Sequence, residues 1–269
     1  MNSSYHYLSM DSLAGFPGDP TSKSFPILGG GFLSSGLLFL IIGIILEVVL
    51  PIWMQRKDNM DTKIKPLMLI WSGLLFGING AGFMVTLALT DMGRNTLNCN
   101  PNNNDLLLNV IRHSGYCYFL LKFLDFGRIL FAVLRKRNHQ SSLFCFLQSS
   151  LIIWLIQSVV YFRPDGIVQF IAIIDTVLGC FTNSYYILAA AKYFDKKSWK
   201  KRLVLLQMTG YSLLVLHSAW FLIQPSCRQH VLVLYVQAMY GASSFLFFSI
   251  RYSNLIFSAE SVDKSFKSM

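Results

Sequence analysis

Apolar residues gather into seven long stretches along this chain, at about 31–53, 66–89, 115–134, 142–161, 166–190, 203–223 and 230–250, with charged residues mostly between them. A helix needs about 20 mostly apolar residues to cross the hydrocarbon core of a bilayer. Strands are excluded by the length of the stretches. The pattern predicts an all-α polytopic membrane protein with seven transmembrane helices. Proline and glycine punctuate it: Pro51 ends the first stretch, Pro66 opens the second, and Pro164–Gly166 turns between the fourth and fifth. The third and fifth stretches carry ionisable or polar residues and depart most from a plain apolar span.

Composition agrees with the pattern. The chain of 269 residues is 54% hydrophobic and only 13% charged, against roughly 25% charged in soluble domains. Its formal charge of +10 would suit a nucleic-acid partner, but the distribution argues for none. Arg56, Lys57, Lys63 and Lys65 follow the first stretch, and Arg135, Lys136 and Arg137 follow the third. Lys192, Lys196, Lys197, Lys200, Lys201 and Arg202 follow the fifth. The other connections carry only Arg94, Arg112, Arg163 and Arg228. That alternation is the positive-inside rule, which sets the amino terminus outside the cytosol and the carboxyl terminus within it. Anionic lipid headgroups are the expected neighbours of the cations.

Three regions follow. Residues 1–26 form a polar lumenal segment with Pro17, Pro20 and Pro26 and no apolar core of a cleavable signal. Residues 27–257 form one seven-helix membrane domain, and 258–269 a polar cytosolic tail expected to be disordered. Asn2-Ser3-Ser4 is a glycosylation sequon on the lumenal side. Cys99 and Cys227 fall in lumenal connections, where an oxidising compartment permits a disulfide. A bridge joining the second–third and sixth–seventh loops, or two free thiols, both fit. Cys117, Cys145 and Cys180 fall within spans as small packing residues.

The third span holds Lys122, Asp125 and Arg128 at i, i+3 and i+6, neighbours on a helix surface. Facing lipid at mid-bilayer, each would cost about 2.5–3.5 kcal/mol. They must face one another or a polar cavity, so a structural ion pair and the charged wall of an anion-binding chamber are both open readings. Cys145, Gln148 and Ser149 share one face of the fourth span. Tyr185 and Tyr186 lie late in the fifth and Gln207 early in the sixth. By the topology all these sit toward the cytosolic half, as a ligand chamber opening there would need. Hydrogen bonds between helices would also account for Gln148 and Gln207. No cofactor and no metal site is expected.

GYCYFLLKFLDFGRILFAVLRKRN (115–138) resembles the third-helix segment of the ELO family of very-long-chain fatty-acid elongases, with its KxxExxDT box followed by FFVLRKKN. IKPLMLIW (64–71) resembles the start of that family's second span, and WKKRLVLLQMTGY (199–211) the start of its sixth with its TxxQxxQ box. In order and spacing the resemblance covers about residues 30–255. It implies a six-helix barrel of spans 2–7 around a narrow tunnel, with the first span outside. It also implies location in the endoplasmic reticulum membrane and a reaction, the condensation of long-chain acyl-CoA with malonyl-CoA to 3-ketoacyl-CoA. Acyl-CoA, malonyl-CoA, membrane lipid, other elongases and the remaining enzymes of the elongation cycle are the implied ligands and partners.

The family's boxes are degenerate here. Lys122 matches the box lysine, Asp125 stands at the glutamate, Arg128 at the aspartate and Ile129 at the threonine. The three HxxHH histidines, which supply nucleophile and acid/base groups, fall on Cys145, Gln148 and Ser149. In the fifth-span HxxMYxYY box, Gly179 stands at the histidine, Thr182 at the methionine and Asn183 at the first tyrosine, while Tyr185 and Tyr186 remain. Only Gln207 survives of TxxQxxQ. Among the chain's own histidines, His217 lies deep in the sixth span, where a hydrogen-bonded packing role is expected. The resemblance therefore leaves open whether the chain is an enzyme. One reading is a pseudoenzyme, with Lys122, Arg128, Tyr185, Tyr186 and Gln207 lining a retained acyl-CoA chamber that Arg128 makes more cationic. Another is an active elongase using the Cys145 thiol. A third is a seven-span receptor, although no DRY-like triplet follows the third span and no NPxxY lies in the seventh.

Overall fold

The computed structural model describes residues 38, 41–55, 61–98, 105–134, 139–162, 169–190, 196–224 and 231–267. Among these, every regular element is helical. Helix α1 (41–55) contains a π-turn at Ile45–Val49 and continues as Leu50–Gln55. Then come α2 (Asp61–Leu89), α3 (Asp105–Leu134), α4 (His139–Phe162), α5 (Gln169–Ala190), α6 (Lys196–Ile223) and α7 (Val231–Lys267). Asn2, Cys99, Cys227 and the Pro164–Gly166 turn lie outside the described residues, as does the Cys145 side chain.

The π-turn has a local cause. Leu50 N–H donates to the Ile45 carbonyl, five residues back, and the next residue is Pro51. In an α-helix Pro51 would present no N–H and its ring would collide with the Glu47 carbonyl. One wide turn relieves that clash. Pro51 therefore does not end the segment as its presence predicted; the helix runs on to Gln55. At the far end of α2 the Thr90 hydroxyl donates to the Thr86 carbonyl at 2.7 Å and accepts from Gly93 N–H at 3.2 Å. Asp91, Met92 and Gly93 take left-handed φ values of 51°, 53° and 90°. They reverse the chain into a short 3₁₀ turn, Arg94–Leu97.

The tail also departs from expectation. Residues 258–267, read as disordered from their polarity, continue α7 to Lys267. Neither glycine nor proline follows Gly241 in the sequence, so nothing in the backbone chemistry stops the helix.

Helices α2 to α7 form a chain of neighbours that returns on itself. Helix α2 packs on α3 and α5, α3 on α4, α4 on α7, α7 on α6, and α6 on α5. Helix α1 lies against α3 and α4. Close approach is local to small residues. At Gly127 an added Cβ would sit 2.6 Å from the Trp71 indole, so α2 meets α3 there with a ring pressed onto bare backbone.

Polarity is inverted relative to a water-soluble domain. Large apolar side chains face outward, Ile70 and Met239 each about 70% exposed. Asn79, Gln157, Asn183 and Gln237 are buried. Water would favour the opposite arrangement; hydrocarbon favours this one. By length and composition four helices can cross a bilayer, over Ile64–Leu89, Gln169–Ala189, Ser198–Ile223 and Val233–Ile256. The protein is an all-helical, multi-pass membrane protein.

Candidate functional site

Helical spacing alone sets the first cluster. On α3, Lys122 Nζ donates to Asp125 Oδ2 at 3.0 Å, and Arg128 Nη2 donates to Asp125 Oδ1 at 2.7 Å. Both are i, i+3 contacts, so one short carboxylate bridges two cations, one about a turn before it and one about a turn after. A partner from another helix completes the set. Asp175 of α5 pairs with Lys122 and accepts the Tyr118 hydroxyl at 2.6 Å. Helices α3 and α5 are not principal neighbours, so this pair reaches across the group. Lys122, Asp125 and Asp175 are all buried. The two cations and two carboxylates balance formally, so the excess positive charge expected from Arg128 is not found in this cluster. Lys122 is held between two carboxylates.

A second cluster forms around Gln148 of α4. Its Nε2 donates to Tyr211 Oη of α6 at 2.9 Å and lies 3.3 Å from Ser244 Oγ of α7. Tyr240 Oη is 3.5 Å from Tyr211 Oη, and the Tyr211 ring stacks on Phe248. Tyr211 thus joins Gln148 of α4 to Tyr240 and Phe248 of α7. Gln148 therefore faces other helices rather than lipid. Ser149 beside it is half-buried.

The third cluster joins α2, α5 and α6. Gln207 Nε2 donates to Thr182 Oγ1 at 3.1 Å, and Thr182 in turn donates to the Leu178 carbonyl at 2.7 Å. Tyr185 and Tyr186 are half-buried and meet edge to face at 5.6 Å. Gly179 borders the side chain of Asn79 on α2. A Cβ built on Gly179 would lie 2.6 Å from Asn79 Oδ1 and 2.8 Å from its Cγ. The Asn79 head thus fills the space into which any larger residue at 179 would have to grow.

His217 stands apart from these groups. Its Nε2 donates to the Thr96 carbonyl at 3.0 Å, and its Nδ1 lies 3.4 Å from Gln237 Nε2. Phe170 stacks on the ring at 4.1 Å. With one nitrogen donating and the other accepting, the imidazole ties the 3₁₀ turn to α6 and α7, a packing role in keeping with its sequence position.

Asp175, Tyr118, Tyr211, Tyr240 and Ser244 were not singled out from the sequence. A signal existed for Asp175: it is a carboxylate within IAIIDTV (171–177), and a lone charge in a span is costly enough to demand a partner. The tyrosines and Ser244 carry no comparable signal, because hydroxyls are common in packed helices.

An all-helical membrane protein with hydrophilic side chains from several helices turned inward is the class that fold and site define. Residues 32–261 match the ELO family, described as the GNS1/SUR4 family. The chain belongs to that family. It is 23% identical over 251 residues to very long chain fatty acid elongase 7 of Drosophila melanogaster, covering 92% of this chain and 75% of that one. It is 24% identical over 247 residues to very long chain fatty acid elongase 1 of Mus musculus, covering 86% and 84%. The human elongase 1 matches at 22% identity, covering 86% of this chain and 84% of that protein.

Proposed function

We propose that this chain is a fatty-acid elongation protein of the endoplasmic reticulum membrane that retains an acyl-CoA-binding interior and has lost the condensation chemistry. In this reading seven spans cross the bilayer, with the amino terminus lumenal and the carboxyl terminus cytosolic. Helices α2 to α7 close a barrel around a tunnel, a reading supported by the circular order of their contacts. Long-chain acyl-CoA enters it from the cytosolic side. The protein works by holding that ligand or by associating with active elongases and the other enzymes of the cycle.

The observation that carries this reading is the Asn79–Gly179 contact. Where the family's fifth-span box has a histidine, this chain has a glycine whose side-chain space is taken by another buried residue, 2.6 Å from the Cβ position. An imidazole would have to displace it, so the departure extends to the packing around position 179. Gln148, at a second histidine position, is engaged with Tyr211 and Ser244; an amide neither accepts an acyl group nor shuttles protons near neutral pH. Because Lys122 is held by two carboxylates, ligand recognition in the interior rests mainly on uncharged groups.

Expression in a host stripped of its own elongases tests this directly. The expected result is a fatty-acid profile no longer than that of the empty host, alongside saturable palmitoyl-CoA binding by the purified protein. Lengthened acyl products that vanish on Cys145→Ala would establish the active-enzyme alternative. Absence of saturable binding would remove the acyl-CoA reading.

A further inference from the structure

Two buried asparagines border Gly179, and among the described residues neither side-chain oxygen has a hydrogen-bond partner. Asn79 and Asn183 are 1% and 0% exposed. Each anchors its nitrogen on a backbone carbonyl one turn earlier: Asn79 Nδ2 on Leu75 O at 2.7 Å, and Asn183 Nδ2 on Gly179 O at 2.8 Å. Those anchors fix the orientation of both amides, because a flipped amide would set oxygen against oxygen. The atoms left over are Asn79 Oδ1 and Asn183 Oδ1, both buried and unpaired. Asn79 Oδ1 lies 2.6 Å from the Cβ position of Gly179, and the Asn183 nitrogen sits on the Gly179 carbonyl. The two heads therefore bracket the same residue from α2 and from α5.

A buried acceptor left without a donor is destabilising, and here the two side chains that border Gly179 each carry one. Their chemistry is one-sided, two acceptors and no free donor, which is a demand for an O–H or N–H. The level is about 10 Å along α5 from its end at Ala190, seven residues at 1.5 Å each. In the acyl-binding reading, with entry from that end, the thioester-proximal part of an acyl chain or the pantetheine arm would reach this depth.

We infer that Asn79 and Asn183 form a recognition site for a hydrogen-bond donor on the bound acyl ligand, either a chain hydroxyl or an amide N–H of the pantetheine arm. The inference rests on the acyl-binding reading above and adds to it a selectivity for donor-bearing ligands over plain hydrocarbon chains. It also accounts for the orphaned oxygens, which the ligand satisfies on binding.

The test uses the full chain in lipid nanodiscs with three probes. Methyl palmitate carries no donor, methyl 3-hydroxypalmitate carries a hydroxyl, and palmitoyl-CoA carries the pantetheine amides. Binding is followed by the shift in thermal unfolding across a ligand titration. The expected result is that at least one donor-bearing probe binds five- to tenfold tighter than methyl palmitate, the worth of about 1 kcal/mol. The two arms identify which donor the site takes. Asn183→Leu should abolish that preference, read as the ratio of donor-bearing to methyl palmitate affinity within the variant, and Asn79→Leu should do the same. Because each substitution repacks a buried position, the discrimination by the unaltered chain stands as an independent readout. Equal affinity for all three probes overturns the inference and leaves the acyl-binding reading intact, as does a preference that survives both substitutions. No stabilisation by any probe overturns both.

Discussion

Neutralising Asp175 tests whether the α3–α5 charge cluster holds the helices together. In Asp175→Asn, Lys122 and Arg128 share the single carboxylate of Asp125, leaving one uncompensated positive charge where the Lys122 and Asp125 side chains are only 4% and 7% exposed. Removing one member of a buried pair costs about 3–5 kcal/mol. Lys122 keeps its 3.0 Å contact with Asp125, and asparagine still offers the Tyr118 hydroxyl an acceptor. The expected loss therefore falls at the lower end, about 3 kcal/mol. Lys122→Met removes the opposite charge and should cost a similar amount. The double variant restores formal balance, so its cost should fall well below the sum, with a coupling of about 2 kcal/mol or more. Reversible unfolding in mixed micelles, followed by circular dichroism, measures all three. Strict additivity, or an Asp175→Asn cost under about 0.5 kcal/mol, would refute the idea that this pair is desolvated and shared.

Other substitutions probe the packing and the hydrogen bonds. Gly127→Ala should destabilise by about 1–3 kcal/mol through overpacking, because its Cβ would meet the rigid Trp71 ring at 2.6–2.7 Å; Trp71→Leu in the same chain should recover much of that in the same unfolding assay. Gly179→Ala should be less stable than Gly179→Ala with Asn79→Ala, since the second change vacates the contested space. Gln148→Leu should cost about 1–3 kcal/mol by stripping Tyr211 of its amide donor, read again from the unfolding midpoint. His217→Phe should cost a similar amount by leaving the Thr96 carbonyl unpaired, while leaving palmitoyl-CoA binding unaltered.

The chain's helices were legible because hydrocarbon imposes one rule on long apolar segments, whatever their detailed sequence. Their ends were less so. Helix α3 begins at Asp105 and α7 runs to Lys267, beyond the apolar stretches, since a helix can continue past its apolar stretch wherever no residue breaks it. Within the site, the bonds along α3 followed from spacing: residues three apart meet on any helix, and Asp125 does meet Lys122 and Arg128. Bonds between helices did not follow. That Lys122 finds Asp175, or Gln148 finds Tyr211 and Ser244, depends on which faces the ring turns inward, and this is decided by packing far along the chain. Gly179 shows the limit most clearly. By the resemblance its sequence position falls where the family's box has a histidine, but the Asn79 side chain that borders it comes from α2, a hundred residues away.

One measurement bears most directly on the proposed loss of condensation chemistry. Purified protein in nanodiscs is supplied with palmitoyl-CoA and malonyl-CoA labelled in the carboxyl group that leaves. The account predicts saturable palmitoyl-CoA binding with no labelled carbon dioxide above the rate without protein, and no acyl adduct on the chain by mass spectrometry. Stoichiometric release of label together with an acyl group on Cys145 would contradict it.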